Sequence, residues 1–141
     1  RAMYLPPNSA NNSLLLKILR TMMLFEKEDE RGEAVDLLLT HFTPRGWLAD
    51  GQKIYFSNSP SLFGKVSLSL VSELSQNQIR AVLRTPDRHR PSRMRLRLRT
   101  PGNRRLTSVM VNQQRHDLFD PLTETIDLSG LAGTLNIVAR Y

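Results

Sequence analysis

The chain has 141 residues, a net charge of +7 and no cysteine, and 40% of its residues are hydrophobic. This composition suits one domain with a workable core, and it excludes disulfides, thiolate metal sites and thiol nucleophiles. No apolar run approaches the roughly 20 residues that cross a bilayer, so we expect no membrane contact. The chain begins with Arg1 and not with Met, which indicates a cut end, and the apolar run at residues 14–16 is too short for a signal peptide.

Residues 1–48 are predicted to be a helical segment with a linker. Helix-capping residues at positions 8–13 precede apolar residues that recur every three or four positions from Leu15 onward, a spacing typical of an amphipathic helix that ends near Lys27. Residues 34–39 predict either a second short helix or an extended segment. Two helices alone cannot bury both apolar faces, so we expect this segment to pack on the domain that follows or on a partner.

From residue 49 to residue 141 the pattern is that of short β-strands. Apolar and polar residues alternate in seven stretches, separated by turn-forming residues such as Pro101-Gly102-Asn103, which reverse the chain. Short strands at this spacing predict an antiparallel β-sandwich with a jelly-roll-like arrangement. The fold class is therefore predicted to be α+β and mainly β, with an N-terminal helical segment. The predicted strands cover residues 53–58, 65–74, 78–85, 93–100, 106–112, 123–128 and 134–141.

The stretch at residues 93–100 shows the clearest alternation in the chain. Met94, Leu96 and Leu98 point to one face of the predicted strand, and four arginines spaced about 7 Å apart point to the other. We call this arginine side the basic face. Its members are Arg93, Arg95, Arg97 and Arg99.

The sequence is compatible with three uses of the basic face. The first is binding of a nucleic acid or another polyanion, the second is pairing with acidic side chains of neighbouring strands or of a partner, and the third is binding of an acidic glycan. Sheet-based nucleic-acid binders interleave exposed aromatic residues for base stacking, and this face has none. We therefore do not expect nucleic acid, and we favour structural or interdomain pairing.

No pattern in the sequence points to catalysis or to a metal. The chain has no nucleophile elbow, P-loop or dinucleotide-binding motif, and its acidic cluster at residues 26–36 is better explained as a solvated helix end than as a glycosidase carboxyl pair. The histidines lack metal-ligand spacing, and the carboxylates at residues 117–124 favour turn formation over a calcium site. We predict no catalytic residue, no metal and no cofactor. The residues weighed as metal ligands are His41, His89, His116, Asp117, Asp120 and Glu124.

A series of short motifs runs along nearly the whole chain. In order they are Tyr4-Leu5-Pro6-Pro7, the helix at residues 14–26, Pro44-Arg45-Gly46-Trp47-Leu48, Phe63-Gly64-Lys65-Val66-Ser67, Arg95-Leu96-Arg97-Leu98-Arg99-Thr100-Pro101, Val109-Met110-Val111-Asn112 and the ending at residues 126–141. This order resembles the C-terminal portion of bacterial glycoside hydrolases in which an (α/α)6 toroid of the six-hairpin type precedes a small β-sandwich. Gln113 stands where such enzymes often have glycine, so the turn at this position must be built differently.

The resemblance implies an accessory domain of such an enzyme in the periplasm or outside the cell, although a chain without cysteine suits the cytoplasm equally well. The catalytic carboxylates of these enzymes lie in the toroid, which would precede Arg1, so no catalytic residue is carried over. Residues 11–39 would end the toroid or dock on it, and residues 53–141 would form the sandwich.

We expect a non-catalytic accessory domain that braces a preceding catalytic domain or binds a polysaccharide or oligosaccharide. Exposed aromatic rings stack on sugar rings, and the candidates are Trp47, Tyr55 and Phe119, although for Trp47 we favour burial. One alternative is a polyanion-binding module that uses the basic face. Another is a structural domain without a ligand, which forms a homodimer through the apolar helical segment.

Overall fold

A computed structural model of the chain describes residues 9–141. In this range one α-helix, α1 (Ser9–Met23), precedes eleven strands, which confirms the predicted class of a mainly β fold with an N-terminal helix. The strands are β1 (Leu24–Glu28), β2 (Ala34–Leu39), β3 (Lys53–Ser61), β4 (Gly64–Glu73), β5 (Gln78–Arg84), β6 (Arg93–Arg97), β7 (Ser108–Val111), β8 (Gln114–Arg115), β9 (Phe119–Asp120), β10 (Thr125–Asp127) and β11 (Thr134–Arg140).

The strands form two sheets that enclose one apolar core. The first sheet has the order β1-β2-β6-β10-β9, and the second has the order β3-β4-β5-β11-β7-β8. Neighbouring strands are antiparallel, except that β2 and β6 run parallel, with Leu37 opposite Met94 and Leu39 opposite Leu96. Buried residues of both sheets belong to a single cluster, as expected for a sandwich whose inner faces interdigitate.

The alternation of side chains along each strand decides which residues enter this core. Met94, Leu96 and Leu98 are 2%, 0% and 0% exposed, whereas the arginines between them lie half-buried on the outer face of the first sheet. The same period of two appears on β4, β5 and β11. All seven predicted strands are present, as β3 to β7, β10 and β11.

The predicted helix end near Lys27 is wrong, because α1 ends at Met23. The next residues form β1, which pairs with β2 from Leu24 opposite Leu39 onward. Leu24 is 1% exposed, so sheet pairing and burial override the helical spacing that continues in the sequence. Residues 34–39, for which the sequence predicts either a short helix or an extended segment, are extended and form β2.

The first sheet includes strands from both sides of the predicted domain boundary between residues 48 and 49. β1 and β2 precede this boundary, and β6, β9 and β10 follow it. The parallel pairing of β2 with β6 joins segments far apart in the chain, for which local sequence gives no signal. β8 and β9 have two residues each, too few to show a period in the sequence.

The turn at residues 101–103 carries the chain from one sheet to the other. β6 before it lies in the first sheet, and β7 after it lies in the second. Gly102 (φ +73°) and Asn103 (φ +51°) adopt left-handed conformations of the kind that tight reversals require. Leu98 and Leu106, on either side of the turn, are 0% and 3% exposed, so both arms of the turn enter the shared core.

Replacing Leu96 by alanine should lower the free energy of unfolding by about 3 kcal/mol, because the fully buried side chain leaves a cavity between the sheets. Urea denaturation followed by circular dichroism measures this change. Leu122→Ala is the matched control, since Leu122 is 78% exposed and its removal should have little effect. Equal losses in the two variants would contradict the assignment of the core.

Candidate functional site

A groove of about 600 Å³ lies on the outer face of the first sheet. Outward side chains of β6 and β10 form part of its lining, and the segment around β9 borders it. We call it the β6 groove. It is lined by Arg95, Arg97 and His41 as nitrogen-bearing groups, by Asp117, Asp120 and Asp127 as carboxyl groups, and by Leu118, Phe119, Thr123 and Thr125.

The register of β6 and β10 sets charges of opposite sign side by side in this groove. Arg95 lies opposite Asp127, and Arg97 lies opposite Thr125. Residues opposite each other in antiparallel strands project to the same face, with Cβ atoms about 5 Å apart. Burial disfavours ionisation of Asp127, but hydrogen bonds from Ser129 and the charge of Arg95 outweigh it and hold the pKa of this carboxyl below its usual value.

The four arginines of the basic face have different surroundings. Arg97 donates through Nε to the carbonyl of Thr123 (3.0 Å), and Arg99 donates through Nη1 to a carbonyl of the loop after β2 (3.4 Å). Burial, and then the charge of Arg99, lowers the pKa of Arg97. The guanidinium group of Arg95 makes no hydrogen bond or ion pair with other residues in the range 9–141, so its N–H groups are available to a ligand. Arg93 is exposed at the start of β6, outside the groove.

The carboxylates across the groove are held by hydrogen bonds from nearby residues. Asp120 accepts from the backbone N–H of Leu122 and from the hydroxyl of Thr123, each at 2.9 Å, and these bonds lower its pKa. Asp117 pairs with Arg115 at 2.6 Å and is exposed. Together with the carboxyl group on β10, the groove is lined by three carboxyl groups and two guanidinium groups, so it is close to balanced in charge and is not a cationic site.

His41 lies beside these arginines, two residues after the end of β2. Its Nδ1 atom is buried without a hydrogen-bond partner among the described residues, and its ring meets that of Phe42 edge to face, with the centroids 5.1 Å apart. Burial, and then the charges of Arg97, Arg95 and Arg99, lowers the pKa of His41 below its usual value of 6.5. The imidazole is therefore neutral at neutral pH.

The three predicted aromatic candidates fall into two places. Phe119 lines the β6 groove and packs partly against the core. Trp47 and Tyr55 line a separate, smaller groove of about 310 Å³ together with Met23. Trp47 is half-buried against the core, whereas Tyr55 is 71% exposed. The aromatic residues therefore do not form one continuous platform.

The sequence alone did not indicate the acidic side of the β6 groove. The alternation of side chains on β10 predicts that Asp127 points outward. It does not predict that Arg95 is its neighbour, because this depends on the order of the strands in the sheet. Two of the carboxylates weighed for calcium, Asp117 and Asp120, line the groove, whereas Glu124 lies next to it and does not line it. Within residues 9–141, no group of three His, Cys, Asp or Glu side chains is arranged to hold a metal ion.

Glu124, directly before β10, links the first sheet to the segment before β3. Its carboxylate accepts a hydrogen bond from Arg45 at 2.7 Å, and the same guanidinium donates to the carbonyl of Thr100 at 2.9 Å. Glu124 is 4% exposed, and its φ of +57° lies in the left-handed region that residues with a Cβ atom rarely adopt. The ion pair therefore compensates a buried charge and holds an unusual turn next to the groove.

Comparison of the chain with protein-family models and with curated proteins finds no match. The resemblance to glycoside hydrolases therefore stays a prediction. No helix in the part of the chain that the structure describes is long and apolar enough to span a membrane.

Replacing Arg45 by methionine should lower the free energy of unfolding by about 2 kcal/mol, because the carboxylate of Glu124 stays buried without its partner. Chemical denaturation at neutral pH measures the loss. Arg80→Met is the matched control, because Arg80 pairs with Glu73 nearer the surface and its loss should have little effect. If Arg80→Met destabilises the protein as much as Arg45→Met, the buried ion pair of Arg45 with Glu124 contributes no more to stability than a surface pair.

The lowered pKa of His41 predicts a loss of stability in mild acid. The unfolded chain binds the proton more readily than the folded chain, so the contribution of neutral His41 is complete above its usual value of 6.5 and is lost as the pH falls through that value toward the folded pKa. Unfolding free energies at about pH 8 and about pH 5.5 should therefore differ more in the wild-type chain than in His41→Gln. Identical differences in the two proteins would contradict this prediction.

Proposed function

We propose that this chain is a non-catalytic accessory domain of a carbohydrate-active enzyme and that it binds a neutral oligosaccharide in the β6 groove. The observation that carries the proposal is the lining of this groove, where guanidinium donors, carboxylate acceptors and the ring of Phe119 surround about 600 Å³. This volume lies within the range of roughly 300 to 1,000 Å³ that is typical of small-molecule pockets.

Sugar hydroxyl groups match both sides of the groove. A hydroxyl group donates one hydrogen bond and accepts others, so one hydroxyl donates to Asp127 while its neighbour accepts from Arg95 on the opposite strand. Hydrogen bonds to charged groups are about twice as strong as neutral ones, which compensates for the loss of water from the sugar. The apolar face of a sugar ring packs on an aromatic ring, and Phe119 supplies one at the β9 edge of the sheet.

The charges of the groove favour a neutral ligand over a polyanion. Three carboxyl groups line it, and they would repel a chain of closely spaced negative charges. Two arginines of the basic face, Arg97 and Arg99, already donate to backbone carbonyls. These contacts support a partly structural use of the basic face.

A second candidate role is the bracing of a neighbouring domain through α1. Leu14, Leu15, Leu16 and Ile18 are 57%, 56%, 67% and 49% exposed. Large apolar side chains that are clustered and exposed in this way usually mark an interface. This observation supports the bracing role that the resemblance implies, and it is compatible with ligand binding in the groove.

The wild-type chain should bind at least one soluble neutral polysaccharide saturably, with an affinity that hardly changes between low and high salt. Titration calorimetry against a panel of neutral and acidic polysaccharides measures this. Asp127→Asn and Phe119→Ala should each weaken the binding about tenfold, which corresponds to about 1.4 kcal/mol for one lost contact.

Tyr55→Ala is the matched aromatic control, because Tyr55 is exposed and lies outside the β6 groove. Its affinity for the neutral ligand should equal that of the wild-type chain. Loss of binding in Tyr55→Ala but not in Phe119→Ala would place the site in the groove of Trp47 and overturn the assignment. The absence of any neutral ligand in the panel would overturn the proposal itself.

A further inference from the structure

A second concave surface surrounds the loop between β5 and β6, at residues 85–92. Two adjoining hollows of about 380 Å³ each share Asp87 and Arg88 in their linings. We call the two hollows together the basic cleft. Its charged and titratable lining residues are Lys65, Arg84, Asp87, Arg88, His89 and Arg90, and none of them lines the β6 groove.

The backbone of this loop is fixed by contacts with the start of β4. The N–H groups of Arg88 and of the residue after it donate to the carbonyl of Phe63, at 3.2 and 2.9 Å. The carboxylate of Asp87 accepts from the backbone N–H of Lys65 at 3.2 Å. A Cβ atom at Gly64 would overlap the carboxylate of Asp87, so the loop packs more closely here than any other residue allows.

The arginine side chains of the cleft lack partners among the described residues, although the backbone that carries them is fixed. Arg84, Arg88 and Arg90 are exposed, and their guanidinium groups make no hydrogen bond or ion pair with other residues in the range 9–141. By contrast, Arg45 and Arg80 each pair with a glutamate. Four cationic side chains against one carboxylate give the cleft an excess of positive charge, unlike the balanced β6 groove.

We propose that the basic cleft is a second binding site and that it takes the oxyanion groups of an acidic polysaccharide. The planar fork of a guanidinium group matches carboxylate and sulfate groups in a bidentate manner. A fixed backbone reduces the entropy that is lost when a ligand binds. Within the described residues, no Phe, Tyr or Trp side chain lines the cleft to stack on bases, so the lining favours a polysaccharide over a nucleic acid.

The test compares two variants of the full chain that lose the same three charges. Arg84→Gln/Arg88→Gln/Arg90→Gln removes the charges of the cleft, and Arg31→Gln/Arg105→Gln/Arg140→Gln removes three charges from exposed arginines elsewhere. Titrations with polygalacturonate and with dextran sulfate, at several salt concentrations, measure affinity and its salt slope. Uncharged dextran is the neutral counterpart of dextran sulfate.

The wild-type chain should bind both acidic polymers with a steep salt slope and should bind dextran far more weakly. The cleft variant should lose affinity for them by about 10- to 100-fold and show a salt slope smaller by about two, because fewer ions are released. The control variant should stay within about threefold of the wild-type affinity, because its arginines lie outside the site. Asp127→Asn should leave this binding unchanged, which separates the cleft from the β6 groove.

Three results would overturn the proposal. Equal weakening in the two triple variants would show that only net charge matters. An unchanged affinity in the cleft variant would place the polyanion elsewhere, for instance on the basic face. Tighter binding of a single-stranded DNA than of either acidic polysaccharide, lost in the cleft variant, would identify the cleft as a nucleic-acid site.

Two controls accompany the test. Circular dichroism confirms the fold of both triple variants. Arg88→Lys keeps the charge but loses the guanidinium fork, so it should give an affinity between those of the wild-type chain and the cleft variant.

Discussion

The alternation of apolar and arginine residues along β6 constrains the whole domain. β6 is hydrogen-bonded to β2 on one side and to β10 on the other, so its inner side chains lie at the centre of the core. A shift of one residue in its register would bury arginines and expose Met94 and Leu96. The register is therefore strongly fixed, and it places Arg95 opposite Asp127 on the outer face. The same constraint that stabilises the sandwich thus builds the floor of the candidate site.

The protein uses its arginines in two physically different ways. In and beside the β6 groove they are half-buried, donate to backbone carbonyls or face carboxylates, and leave a surface in which charges of both signs alternate. Around the basic cleft they are exposed on or next to a loop whose backbone donates to the carbonyl of Phe63, and one carboxylate accompanies four cations among the described residues. The excess positive charge of the basic cleft thus lies at a surface that is separate from the groove.

Much of the sandwich could be predicted because a strand with one buried face records its orientation in its own residues. The period of two at Val66, Leu68 and Leu70 and at Leu135 and Ile137 is found as predicted. The N-terminal part was predicted less well. Leu24 and its neighbours continue a helical spacing, and only pairing with β2 makes them a strand. The position of β2 in the sheet depends in turn on its parallel pairing with β6, which no local pattern in the sequence predicts.

The sequence by itself determined which face of each strand is apolar, and therefore that four arginines share one side of a strand, because side chains alternate whatever the strand's neighbours are. It also determined that the positive charge lies mainly in the second half of the chain. Only the tertiary structure decided that Arg95 lies opposite Asp127 and that Phe119, not Trp47, lines the same groove. It also decided that the arginines of the loop at residues 85–92 have no side-chain partner among the described residues. These contacts depend on strand order and on packing between distant segments, and neither is encoded in the local pattern of residues.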